Sequence, residues 1–137
     1  MGKMVIGLAS DSMEKLVVVS TVTGGAAALD LEVDIYLLLG GAYAFKKDVV
    51  ENQAHRFERP ELKEKMLAGM AANNIPGPMD NLRKLKKDGK VRIHVCATAG
   101  KIWGATKLED FVDLVDDIVG LAEYLTRAEE ADIVQVL

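Results

Sequence analysis

The stretch VRIHVCATAG, residues 91–100, contains the features that decide the fold of this chain. Val91 to Val95 is a short apolar run of the kind that forms a buried β-strand. Cys96 ends the run, and Ala97 to Ala105 is a segment of small residues that we expect to be a loop. A strand followed by a loop and by helical periodicity is the repeating unit of a parallel sheet.

Similar apolar runs occur on both sides of this stretch. Strands are predicted at Met4 to Leu8, Glu32 to Leu39 and Ile133 to Leu137, with a very short one at Asp116 to Val119. Because these runs alternate with helical patterns, the strands should pair in parallel through right-handed crossovers. Continuously apolar strands indicate helices on both faces of the sheet. The predicted class is α/β, a three-layer α/β/α sandwich with a mostly parallel sheet of four or five strands.

The first helix is predicted between the first two strands. Asp11 and Glu14 form an acidic cap pair at its start, and a stripe of mostly small residues continues to Ala28. The pair Gly24-Gly25 fits close packing against the sheet better than a phosphate-binding loop, since no GxxxxGK[ST] motif is present.

Further helix signals follow the second predicted strand. Residues 47–60 are polar and irregular, and Pro60 could open a helix that ends at Asn73. The next helix closes at Gly89. Thr106 and Glu109 make a capping box that predicts another helix. Apolar positions of the middle and last helices are Met79, Leu82, Leu85, Leu121, Ala122, Leu125 and Ala128.

Length and composition favour one soluble domain over residues 1–137. The net charge of −4 argues against nucleic acid as a partner. A basic cluster between Arg83 and Arg92 is either a solvated helix face or a dock for an anionic partner. One cysteine excludes an intramolecular disulfide framework and fits a reducing compartment. The N-terminus lacks a secretory pattern and no run is long enough to span a membrane, so a cytoplasmic location without membrane insertion is expected.

Three loops should meet at the carboxyl edge of the sheet, where open α/β sheets bind ligands. Backbone N–H groups in the tight loop after Cys96 could stabilise an anion. Lys101 is the nearest cation in sequence and could favour the thiolate. The candidate binding residues in the three loops are Ser10, Gly40, Gly41, Tyr43, Gly100, Lys101, Trp103 and Gly104.

Cys96 is the one candidate nucleophile, and a buried structural cysteine is the alternative interpretation. His94 shares a strand face with it, either as a pair or as a packed histidine. A cysteine hydrolase needs a base beside its nucleophile. No CxxC motif supports a dithiol cycle, and the few cysteine and histidine residues do not suggest a zinc site. A lone cysteine can still accept a sulfur atom and pass it to another thiol.

The run from Val95 to Ala105, VCATAGKIWGA, resembles the active-cysteine segment of the DsrE/DsrF/TusD-like family, in which a glycine follows the cysteine by eight positions, as Gly104 does here. Residues 36–47, YLLLGGAYAFKK, and the C-terminal segment from Val115 to Leu137 also resemble that family. The helix after Pro76-Gly77 is similar to its DsrE-like branch, often labelled "peroxiredoxin-family". The resemblance covers most of the chain.

The resemblance implies a five-stranded parallel sheet, a homo- or hetero-oligomer such as a trimer or a multiple of it, and a cysteine that carries sulfur as persulfide or thiosulfonate. Cys96 would be the catalytic residue and Gly104 would shape its loop. Lys101 and Trp103 are added for their place in that loop, although Trp103 could equally anchor an interface. No cofactor or metal is expected.

The leading hypothesis is a sulfur carrier or sulfurtransferase whose partner is a carrier protein or a redox complex. The alternative is an oligomeric module that binds a small anion or a nucleotide without catalysis. A thiol peroxidase is a third hypothesis, but no PxxxTxxC-like motif precedes Cys96.

Overall fold

The computed structural model describes residues 2–137, which form five β-strands and seven α-helices. The strands are β1 (Lys3–Leu8), β2 (Glu32–Leu37), β3 (Val91–Cys96), β4 (Asp117–Val119) and β5 (Ile133–Val136). The helices are α1 (Met13–Ala28), α2 (Gly40–Ala44), α3 (Lys47–Glu51), α4 (Lys63–Ala72), α5 (Pro78–Leu85), α6 (Ala97–Ile102) and α7 (Leu121–Glu130). No helix among the described residues is long and apolar enough to cross a membrane.

The five strands form one sheet in the order β4-β3-β2-β1-β5, and every pair is parallel. Leu8 pairs with Leu37, which pairs with Val95, so the carboxyl ends of the three central strands lie at one edge. Cys96 pairs with Val119 of β4. The predicted three-layer α/β/α class with a parallel five-stranded sheet is confirmed.

One face of the sheet carries the apolar core. Alternate residues of the central strands, among them Ile6, Ile35 and Ile93, are fully buried together with Leu16 of α1 and Leu82 of α5. Burying a side chain of this size contributes about 1.5–3 kcal/mol to folding. The core therefore lies between the sheet and the α1–α5 layer.

The other face is covered by α7. A Cβ atom at Gly7 of β1 would lie 2.7 Å from the Tyr124 hydroxyl, which shows how closely α7 approaches the sheet. The Tyr124 ring is 5.2 Å from that of Tyr36 on β2. The apolar stripe predicted for this helix is not its buried side, since Leu125 is 59% exposed while polar and aromatic residues face the sheet.

The predicted helix after Thr106 is wrong. A single 3-10 turn, Leu108–Asp110, takes its place, and the Asp110 carboxylate accepts a hydrogen bond from the Lys107 N–H at 3.0 Å. The chain then runs extended, because the N–H of Val112 donates to the carbonyl of Phe45 at 3.0 Å. This pairing with the segment after α2 overrides the local capping-box signal.

Two segments predicted to be irregular contain helices. Residues 47–60 include α3, and the expected loop after Cys96 begins with α6. The later predicted ends agree with the structure: Asn73 ends α4, and Gly89, with φ at +77°, closes the 3-10 turn after α5.

Candidate functional site

The carboxyl edge of the sheet brings the three predicted loops into contact. A Cβ atom at Gly40 would lie 2.6 Å from the Ala9 carbonyl oxygen, and one at Gly41 would overlap the Leu8 carbonyl oxygen. The Trp103 Nε1–H donates to the Leu39 carbonyl at 2.8 Å. These contacts join the segments that follow β1, β2 and β3 into one rim.

Cys96 lies on this rim at the end of β3, next to the edge strand β4. It is the last residue of β3 and the N-cap of α6, and its side chain makes no capping hydrogen bond. The residue is 7% exposed and packs at the edge of the core. The first turn of α6 is built from Ala97, Thr98 and Ala99, so its backbone N–H groups start at the cysteine. The thiol therefore combines little exposure with a locally electropositive backbone.

Two glycines shape the chain after Cys96. A Cβ atom at Gly100 would lie 2.5 Å from the Ala105 carbonyl oxygen, so the returning chain packs directly on α6. Gly104 has φ at +70°, a left-handed conformation that glycine adopts without strain. The turn that brings Ala105 back beside α6 therefore depends on both positions.

An aromatic pair borders the rim. The ring centroids of Trp103 and Tyr43 are 5.0 Å apart, and the Lys46 Nζ lies 5.5 Å from the Tyr43 centroid. Lys101 is exposed on α6. The structure thus brings Tyr43, Trp103 and the cysteine segment together at one edge.

Ser10 is used within the protein. Its hydroxyl donates to that of Ser12 at 3.2 Å, and Ser12 caps α1 by accepting from the Lys15 N–H. The predicted acidic cap pair is therefore wrong. Asp11 instead accepts from Arg56 at 2.6 Å, and Glu14 accepts from two backbone N–H groups, those of Glu58 and Arg59. Helix α1 continues through Gly24-Gly25, but the close packing predicted there is not found, since a Cβ atom at Gly24 would lie 4.0 Å from Leu85 and one at Gly25 would meet no atom within 4 Å.

The predicted basic cluster is largely neutralised by carboxylates of the same chain. Arg83 pairs with Asp113 at 2.8 Å and Lys86 with Asp116 at 2.5 Å. Lys90 pairs with Asp30, and Arg92 pairs with Asp34 at 3.0 Å. A solvated, internally paired helix face describes this cluster better than a dock for an anion.

His94 belongs to a buried polar cluster that sequence reasoning missed. Its Nε2 lies 2.7 Å from the Asp34 carboxylate and its Nδ1 lies 2.6 Å from that of Asp117. The Tyr36 ring stacks on the imidazole with centroids 4.6 Å apart. Both ring nitrogens are therefore engaged, and neither is free to act as a base for Cys96. The signal in the sequence is the alternation that places these side chains on one face.

The cluster shifts the ionisation of its members. Burial acts to lower the pKa of His94, but its hydrogen bonds to Asp34 and Asp117 outweigh burial and leave the pKa raised. Burial acts to raise the pKa of Asp34, but the hydrogen bonds from His94 and Arg92 leave it lowered. Burial, with the nearby Asp34 and Glu123 carboxylates, raises the pKa of Tyr36. The shifts of His94 and Asp34 thus both favour a protonated imidazole beside an ionised carboxylate.

Asp34→Ala should reduce the free energy of unfolding by about 3–5 kcal/mol, because it leaves the buried His94 cation and Arg92 without their shared acceptor. Urea unfolding at neutral pH measures the loss. The control is Asp80→Ala, which removes an exposed partner of Arg83 and should cost less than about 1 kcal/mol. Equal losses in the two variants would contradict this description of the cluster.

Three grooves of the structure are not lined by Cys96, although one of them, of about 380 Å³, borders Gly104 and Ala105 of the cysteine loop. Another, of about 350 Å³, lies between α4, α5 and the segment containing His55 and Phe57. His55 itself lies 2.8 Å from the Ala44 carbonyl through Nε2. Among residues 2–137, no cluster of three or more His, Cys, Asp or Glu side chains has the arrangement of a metal site.

The fold has a solved counterpart. The structure titled as a protein of unknown function, MTH1491, from Methanobacterium thermoautotrophicum matches with a TM-score of 0.63 over 98% of this chain and 99% of that one. At 14% identity this similarity shows the fold alone. A comparison with protein-family models finds no match. A comparison with curated proteins finds none either.

Proposed function

We propose that this chain is a cytoplasmic sulfur carrier or sulfurtransferase of the DsrE/DsrF/TusD-like type, with Cys96 as the residue that carries sulfur. The observation that supports it best is the placement of the only cysteine, which ends β3, stands directly before α6 and lies at the carboxyl edge of a parallel sheet, where such sheets bind ligands. Cys96 is thus the one thiol in the chain that could take part in sulfur exchange.

The chemistry needs only one thiolate. The Cys96 thiolate attacks the outer sulfur of a donor persulfide, the donor S–S bond breaks, and the donor leaves as a thiolate. An acceptor thiolate then attacks the outer sulfur of the Cys96 persulfide, and the Cys96 thiolate leaves. Each step exchanges one S–S bond for another, so no external oxidant or reductant is consumed.

The surroundings of Cys96 suit this exchange better than hydrolysis. A cysteine hydrolase needs a nearby base, and both nitrogens of His94 are held by carboxylates. Helix α6 begins directly after Cys96, so unpaired backbone N–H groups of its first turn lie next to the sulfur-carrying position. The small exposed fraction of Cys96 protects a bound sulfur from bulky thiols and would admit small donors or a narrow segment of a partner.

The test is intact-mass spectrometry of the wild-type protein after incubation with polysulfide, thiosulfate and tetrathionate. The proposal predicts an adduct of sulfur or of thiosulfonate that a reductant removes and that peptide mapping assigns to Cys96. An unmodified Cys96 across all three donors, in a protein whose thiol is alkylated without unfolding, would contradict the proposal.

The alternative of a small-anion or nucleotide-binding module stays a prediction with less support. Ser10 donates its hydroxyl to Ser12, and the two glycines of the second loop are packed against backbone carbonyls. Three of its predicted binding residues thus serve the contacts that hold the rim together. A Cys96 thiol that reagents reach only after unfolding would favour this alternative.

A further inference from the structure

The buried cluster around His94 joins four elements of the fold. Asp34 lies on β2, His94 on β3 and Asp117 on β4, and Glu123 of α7 has its carboxylate 4.0 Å from the His94 Nδ1. The same Glu123 accepts a hydrogen bond from the Tyr36 hydroxyl at 3.2 Å. This polar layer lies between the sheet and α7, where an apolar core would be usual.

The geometry of the cluster requires a proton on each ring nitrogen of His94. An ionised carboxylate only accepts hydrogen bonds, and a neutral imidazole has one donor and one acceptor. With Asp34 at Nε2 and Asp117 at Nδ1, a neutral ring would present a lone pair to one of the two carboxylates. Loss of one proton therefore breaks one of the two contacts.

The contact that breaks is the one to Asp117. Asp34 has a side chain only 8% exposed and also accepts from Arg92, so it is held on two sides. The Asp117 side chain is 51% exposed and stands on a three-residue edge strand, where it can turn to water. Deprotonation should thus leave β2 and β3 together and release β4.

Strand β4 lies at the edge of the sheet and is attached through β3 alone, whereas α7 also packs on β1 and β2 through Tyr124. Strand β4 pairs only with β3, through His94–Asp117, Val95–Ile118 and Cys96–Val119. No residue of α7 is fully buried. Asp116 anchors the preceding chain by accepting from the Ile93 N–H and from Lys86, but these contacts lie before the strand. Strand β4 therefore depends more strongly on the His94 contact than α7 does.

We propose that His94 is a proton-operated latch, which holds β4 on the sheet when it is a cation and releases it when it is neutral. Because Val119 pairs with Cys96, release would uncover the β4 side of the cysteine. The latch is a property of the cluster geometry and does not depend on what Cys96 carries.

The direction of the pH dependence follows from the groups that face the ring. His94 stabilises the closed segment fully below its unfolded pKa of about 6.5, and the stabilisation is lost as the pH rises through its higher folded pKa. The folded pKa of Asp34 is lowered, so the stabilisation from its carboxylate is present above its unfolded pKa of about 3.9. That stabilisation is lost only as the pH falls through the lower folded pKa. The titratable and charged groups around the ring are Asp34 and Tyr36 on β2, Arg92 on β3, Asp117 on β4, and Glu123, Tyr124 and Arg127 on α7.

The test is amide hydrogen exchange of the wild-type protein between about pH 6 and about pH 9, where a histidine of raised pKa titrates. After correction for the intrinsic rate, peptides within residues 115–120 should lose at least about tenfold of their protection, the usual effect of losing a hydrogen bond to a charged group. Peptides of α1 and β1 should not change. The His94 ring signals in NMR, assigned with His55→Gln, should titrate over the same range.

Asp117→Asn is the matched variant. An asparagine amide can donate to Nδ1 while the Nε2–H of a neutral ring donates to Asp34, so both contacts survive without the extra proton. Protection of residues 115–120 should then be independent of pH. Wild-type protection that stays constant through the His94 titration, or a variant that opens with the same pH profile, would overturn the proposal.

Discussion

Cys96→Ser should abolish sulfur loading, because the hydroxyl that replaces the thiol forms no persulfide. The expected loss is complete, below detection in intact-mass spectra, since the chain contains one cysteine. No second thiol can substitute at a lower rate. The measurement is the adduct fraction after incubation with polysulfide under conditions that load the wild-type protein.

The loss of loading has to be measured on a Cys96 variant that remains folded. A serine hydroxyl at a position 7% exposed costs about 1–3 kcal/mol if it finds no partner, so Cys96→Ser alone could fail through instability. Cys96→Ala avoids the buried hydroxyl and should unfold close to the wild type. An adduct on either folded variant would show that sulfur binds elsewhere and would contradict the role of Cys96.

Gly41→Ala should destabilise the protein by at least about 1–3 kcal/mol, the usual cost of overpacking a well-filled core. The added Cβ would overlap the Leu8 carbonyl oxygen. That carbonyl also accepts the Leu38 N–H at 2.8 Å, and β1 is held between β2 and β5, so the backbone cannot yield without breaking sheet contacts. Urea unfolding measures the effect, and sulfur loading should fall with the loss of the rim.

Gly25→Ala is the matched control because Gly25 lies inside α1 with no atom near the added Cβ. Alanine in place of a helical glycine should stabilise the protein by about 0.5–1 kcal/mol. The two substitutions should therefore act in opposite directions. A Gly41→Ala protein as stable as the wild type would disprove the close packing that positions the rim.

The parallel sheet could be predicted because mostly apolar runs alternate along the chain with helical patterns. Residues Val91 to Val95 are predicted as a strand and form one, and β1 and β2 agree within a few residues. The strands are not apolar on both faces, since Asp34, Arg92 and His94 interrupt the central ones and β5 is exposed along its length. The strand order depends on long-range pairing, which no local pattern contains.

The errors arise where distant contacts override local signals. The capping box at Thr106 predicts a helix, but pairing of Lys46 with Phe111 holds the chain extended. The apolar stripe of α7 faces outward because the sheet beneath it presents Asp34, Tyr36 and His94, which need polar partners. Neither the bridge to Phe111 nor the polar contacts beneath α7 can be predicted from the spacing of residues within one segment.

The candidate site could be predicted in part. The rim position of Cys96 follows from its place at the end of a parallel strand, and the structure brings Tyr43 and Trp103 to the same rim. The buried cluster could not be found, since it requires the register that sets Tyr36 opposite His94 and His94 opposite Asp117. Ser10 was predicted to bind a ligand, yet its hydroxyl bonds to Ser12.

The most direct test of the central claim is a chase of the loaded protein with an acceptor thiol. Wild-type protein is treated with polysulfide, freed of donor by gel filtration, and mixed with a small thiol while intact mass is followed. If Cys96 relays sulfur, the protein should lose the mass of one sulfur atom and regain its free thiol. An equal amount of acceptor persulfide should form. A loaded sulfur that stays on the protein, or that leaves without forming acceptor persulfide, would contradict the claim that Cys96 relays sulfur.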